Sequence, residues 1–126
     1  MKAMLKNYRQ SPRKVALIAD LIRGKGVGVA KQHLAFLPKK GAPAIEKLLD
    51  SAVANARSAG SVPENLFIKT ITVNKGAVQK RGRPFSRGRS GVIRKTMSHI
   101  VIELAQVESA TPKKAVRKSK KASKLE

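Results

Sequence analysis

Two strand-like segments with a long cationic stretch between them decide most of what this chain can fold into. Leu66–Val73 is β-branched and aromatic. In His99–Ala105 the apolar Ile100, Ile102 and Leu104 alternate with His99, Val101 and Glu103, a period of two that fits a strand with one buried face. Residues 74–98 are too long for a tight turn, and a structureless loop of that length is unusual in a compact domain. The simplest solution runs both segments past the body as an antiparallel ribbon. Its tip is expected near Arg83–Arg89, where Gly and Pro cluster. With roughly twelve residues per arm, such a ribbon reaches ~40 Å.

The ribbon segment carries Lys75, Lys80, Arg81, Arg83, Arg87, Arg89, Arg94 and Lys95, and it has no acidic residue. The whole chain repeats the imbalance, with 28 Lys and Arg against 7 Asp and Glu in 126 residues, a net charge of +21. Such charge repels itself, and a polyanion removes the repulsion because each contacted phosphate releases counterions. A membrane surface is the weaker candidate. No run approaches the ~18 apolar residues of a spanning helix. Met1–Lys6 lacks the apolar stretch of a signal peptide. With no cysteine there is neither a disulfide framework nor a thiolate metal site. The expectation is a cytoplasmic protein with no membrane partner, no cofactor, no metal and no homo-oligomer.

Before the ribbon the period is helical. Ser11 suits an N-cap and Pro12 the first helical position, and Val15, Ile18, Ala19 and Ile22 follow on one face up to Gly24, predicting a helix over 13–23. A second helix is predicted over 27–36, with Ala30, Leu34 and Leu37 inward and Pro38 as its end. The strongest pattern covers 42–59, with Ile45, Leu48, Leu49, Ala52, Val53 and Ala56 on one stripe and Gly60 closing it. Residues 2–9 read as a short strand. Residues 109–126, mostly Lys, Ala and Ser, cannot bury a core and are expected to be a disordered basic tail following a domain of residues 1–108.

Three motifs, in order along the chain, carry a family resemblance. They are Ser11–Lys25, Leu48–Ala56, and the set Lys80-Arg81-Gly82-Arg83-Pro84, Gly88-Arg89 and Ser98-His99-Ile100. Together they resemble the bacterial-type L twenty-two family of large-subunit ribosomal proteins over roughly residues 5–105. The resemblance implies an α+β body of three helices on a small three-stranded antiparallel sheet, with a long protruding hairpin. It also implies a structural role: binding large-subunit ribosomal RNA, bridging several of its domains during assembly, and lining the peptide exit tunnel with the hairpin tip while the body sits near the tunnel exit. The tip would comprise Arg81, Gly82, Arg83, Pro84, Phe85, Ser86, Arg87, Gly88 and Arg89, and changes there would alter the response to macrolide antibiotics. Partners would be the RNA, neighbouring ribosomal proteins and the nascent polypeptide. The chain departs from the family pattern at Pro84-Phe85-Ser86 and Thr96-Met97-Ser98, where Pro-Arg-Ala and Arg-Thr-Ser are common.

Each candidate has a plainer reading. The eight ribbon cations could be a solvated loop, but nothing in the segment offsets their repulsion, and Arg is suited to gripping phosphate or stacking on unpaired bases. Arg13, Lys14, Arg23 and Lys25 flank the first helix as RNA contacts or as an ordinary polar face. Phe85 stacks on a base, touches a passing peptide, or folds back on the ribbon. His99 is an RNA contact or a hydrogen bonder at the sheet end. Arg23-Gly24-Lys25-Gly26-Val27-Gly28 is no nucleotide loop, because it lacks the preceding strand and the terminal Lys-Ser/Thr. Asp20 is expected to pair with a nearby cation, and Asp50 with a basic neighbour or solvent. No catalytic constellation is evident. The rival class is an architectural DNA-binding protein with β-arms, which would expect a dimer on a smaller helical base.

Overall fold

In a computed structural model the described residues are 1–106; the tail expected over 109–126 lies outside them. In chain order come β1 (Lys2–Tyr8), α1 (Pro12–Ile22), α2 (Val27–Phe36), α3 (Ala42–Ser58), a single 3-10 turn at Pro63–Asn65, β2 (Leu66–Pro84) and β3 (Ser90–Gln106). The strands form one antiparallel sheet in the order β1-β3-β2. This is the α+β architecture of three helices and three strands that the motifs imply.

The helices form where the apolar spacing places them. On α1, Val15, Ile18, Ala19 and Ile22 are buried; on α2, Val27, Ala30 and Leu34; on α3, Ile45, Leu48, Leu49, Ala52, Val53 and Ala56 with Ala42. Leu37, expected inward, follows the end of α2 and is half-buried against the core. Gly24 and Gly60 follow their helices at φ 74° and 78°, where a side chain would be strained. Ser11 does occupy the N-cap of α1 in an extended conformation, but its hydroxyl makes no capping bond. The backbone supplies the closure instead, with the Lys14 and Val15 N–H groups donating to the Ser11 carbonyl.

The inward sheet face supplies Leu66, Ile68, Ile71, Ile100, Ile102 and Leu104 to the same core, with Ala3 from β1. β2 does not keep one alternation. Its inward residues switch from even to odd numbers across a bulge between Ile68 and Thr70, which restores the apolar side to the core after the extra residue. A second bulge between Lys75 and Val78 falls where the sheet leaves the body.

One polar group inside the sheet has no partner. Ser98, on β3 between Tyr8 of β1 and Lys75 of β2, is 0% exposed, and its hydroxyl makes no hydrogen bond. A buried hydroxyl without a partner opposes folding by about 1–3 kcal/mol. Ser98→Ala is therefore expected to raise stability by about 1 kcal/mol, read as a higher urea midpoint at unchanged slope. A lower midpoint would mean the hydroxyl is bonded in solution.

Candidate nucleic-acid interface

Beyond the second bulge β2 and β3 continue as a two-stranded ribbon, paired from Val78↔Thr96 to Pro84↔Ser90. Residues 80–90 are exposed throughout, so this part of the ribbon packs on nothing in the body. The six steps from Val78 to Pro84 carry it ~20 Å at the usual rise.

Register decides which cations share a face. Lys80 lies directly opposite Arg94, and Gln79 opposite Lys95. Like charges facing each other across a strand pair destabilise it. Lys75, Lys80, Arg81, Arg83, Arg87, Arg89, Arg94 and Lys95 are all exposed. The ion pairs among the described residues, Lys2–Glu103, Arg23–Asp20 and Lys31–Asp50, involve none of them. Among the described residues the ribbon is thus a strip of positive charge without an ion-pair partner, on an extended backbone.

At the tip the Phe85 N–H donates to the Arg89 carbonyl at 2.8 Å, and the Arg89 N–H donates to Ser86 at 3.4 Å. The residues between, Arg87 and Gly88, have φ of 56° and 69°, positive at both central positions as in hairpin turns of type I′. Phe85 folds back over Gly91, where a β-carbon would sit 2.2 Å from the ring. One side of the ring stays open, the residue being 57% exposed, and the Arg83 guanidinium lies 5.9 Å from its centroid. That distance is the outer limit of a cation–π contact.

The body residues divide. Arg13 and Lys14 are exposed on the first turn of α1. Arg23 is held by the protein, its Nη2 bonding the Ile71 carbonyl at 3.3 Å and the Asp20 carboxylate at 3.0 Å. Lys25 Nζ lies 3.1 Å from His33 Nε2. His99 Nδ1 accepts the Asn7 N–H at 3.1 Å, which helps hold Asn7 at φ 54° in the β1 bulge. A β-carbon on Gly76 would sit 3.0 Å from His99 Nε2, so glycine lets the ring lie against β2. Asp20 has the cationic partner expected of it, Arg23, and of the two alternatives left for Asp50 the structure shows a basic neighbour, Lys31.

Topology also assembles a cleft that no linear motif announces. Tyr8, Arg9 and Lys14 meet Lys40 and the ribbon-base residues Arg94 and Lys95 around a cavity of about 640 Å³. Tyr8 is steadied by its hydroxyl, which donates to the Lys40 carbonyl at 3.4 Å. Arg9 and Lys40 are visible as basic residues in the sequence, but only the fold brings them beside residues 94 and 95. Among the described residues no three His, Asp or Glu side chains gather to hold a metal ion, and no helix is long and apolar enough to cross a membrane.

The comparisons with known proteins agree with this architecture. Residues 3–105 match the model of the family described as Ribosomal protein L22p/L17e. The chain is 50% identical over 105 residues to the large ribosomal subunit protein uL22 of Citrifermentans bemidjiense, covering 82% of this chain and 95% of that one. It is 49% identical over 102 residues to the protein of the same name from Herpetosiphon aurantiacus, at 80% and 90% coverage. The counterpart from Acholeplasma laidlawii is 45% identical over 108 residues, at 85% and 97%. The match begins in β1, ends in β3 and includes the whole ribbon, so body and arm are inherited together: the chain belongs to the ribosomal protein L22p/L17e family.

Proposed function

We propose that this chain, a protein of the large ribosomal subunit, is a structural clamp for the subunit's RNA. The ribbon enters the RNA and neutralises phosphates from separate segments, holding them together as the subunit assembles. The tip, Arg81 to Arg89, lines the peptide exit tunnel and meets the nascent chain, while the body lies near the tunnel exit among neighbouring ribosomal proteins. Arg13 and Lys14 dock the body on RNA; Arg23, Lys25 and His99, already engaged within the protein, serve RNA by the donors they have left. The protein acts in the cytoplasm, within the ribosome, and catalyses no reaction.

The observation that carries this reading is the facing pair Lys80 and Arg94 on a ribbon without a carboxylate. A two-stranded ribbon is marginal in water by itself, and repulsion across its strands weakens it further. RNA phosphates convert that repulsion into attraction. An architectural DNA protein would use its arm similarly, so the decisive comparison is between nucleic acids. The full chain is expected to bind a folded large-subunit RNA fragment more tightly than duplex DNA of equal length. The logarithm of affinity should fall linearly with that of salt, by about 0.7–0.9 per phosphate engaged. Equal or tighter binding to the duplex, or an affinity indifferent to salt, would overturn the reading.

A further inference from the structure

The basic cleft at the ribbon base has an apolar neighbour. A groove of about 430 Å³ runs along α1, lined by Leu17, Ile18 and Leu21 with Leu37. Leu17 and Leu21 lie one turn apart, off the core-facing stripe of Val15, Ile18, Ala19 and Ile22, and they are 70% and 37% exposed. The two cavities share one wall, made of Gln10, Lys14 and Lys40. The Gln10 side-chain oxygen does not face either cavity: it is buried 2.8 Å from where a β-carbon on Gly41 would lie, so the wall meets the cavities through its cations.

We infer that the pair of cavities is a seat for one unpaired nucleotide of RNA. The backbone runs through the cleft, where Arg9, Lys14, Lys40, Arg94 and Lys95 take its phosphates. The base turns over the wall and lies against Leu17, Leu21 and Leu37. Two observations converge on this occupant. The cleft is lined by five cations and no carboxylate, so it takes an anion. The groove beside it is apolar, and unstacked bases are held against apolar and aromatic surfaces. Arg94 and Lys95 belong to the ribbon, so the polyanion assigned to the ribbon runs into the cleft without a break. The inference rests on the RNA reading proposed above and adds to it a single-stranded site on the body.

The test uses the full chain and two single-stranded probes of equal charge, a cytidine decamer and a decamer of the same backbone without bases. Leu17→Ser with Leu21→Ser changes no charge and touches exposed positions, and circular dichroism confirms the fold. This variant is expected to lose about tenfold in affinity for the cytidine strand, the scale of the apolar area two leucine side chains cover, with no loss for the abasic strand. Lys14→Ala with Lys40→Ala is expected to weaken both strands alike and to lower the salt slope by about 1.4 for two phosphates. If the leucine variant keeps the wild-type preference for bases, the nucleotide seat is wrong and the groove belongs to a protein segment, while the RNA reading stands. If the wild type binds neither strand and no folded large-subunit RNA, both fall together.

Discussion

Replacing Arg81, Arg83, Arg87 and Arg89 together by Gln is expected to lower the affinity for large-subunit RNA by roughly a thousandfold at about 0.15 M salt. Each phosphate contact contributes a salt-dependent factor, so four lost contacts compound. The slope of log affinity against log salt should fall by about 3 at the same time. Stability should hardly move, because the four side chains are exposed and have no ion-pair partner among the described residues. A large drop in affinity at unchanged slope would mean the arginines act by shape or stacking and not by charge. Unfolding of the variant would mean that the tip supports the body, which the ribbon geometry denies.

The second large effect lies in the core. Leu49→Ala is expected to destabilise the body by about 2–5 kcal/mol, the usual range for a buried leucine whose cavity refills only in part. Leu49 is 0% exposed in the middle of α3, and its helix packs against α2, β1 and β3. A domain this small holds only about 5–15 kcal/mol in all, so the variant should lose a large share of its stability and unfold at a clearly lower urea concentration. The control is Leu17→Ala on α1, 70% exposed, expected to change stability by no more than about 0.5 kcal/mol. Urea titrations of both variants decide the matter: equal losses would show that burial does not rank these leucines.

The three helices could be read from the sequence because each has one apolar stripe at helical spacing and an end marked by Gly or Pro. The ribbon was legible for a different reason: two strand-like segments need a connection, and for one of this length and charge an extension of both strands past the body is the simplest solution. The inward switch at Ile68 and Thr70 was not legible, since a bulge changes alternation without changing residue type. His99 reads as a hydrogen bonder at the sheet end and Asp20 as the partner of a nearby cation, and both readings hold, but the distant partners were not legible: the fold places the Ile71 carbonyl beside Arg23 and the Asn7 N–H beside His99, 48 and 92 positions away. The cleft was hidden for the same reason, because Arg9, Lys40 and Arg94 come from three distant parts of the chain.

β3 stands between β1 and β2 and is the last strand of the described residues. The Met1 ammonium and the Leu104 carbonyl lie 3.0 Å apart across a separation of 103 positions. During synthesis β1 has no strand to join until nearly all of this chain has been made. The helices precede β3 by dozens of residues, but their apolar stripes stay uncovered meanwhile. Closure of the body is therefore a late, long-range event of high contact order, which slows folding and leaves strand edges open to aggregation.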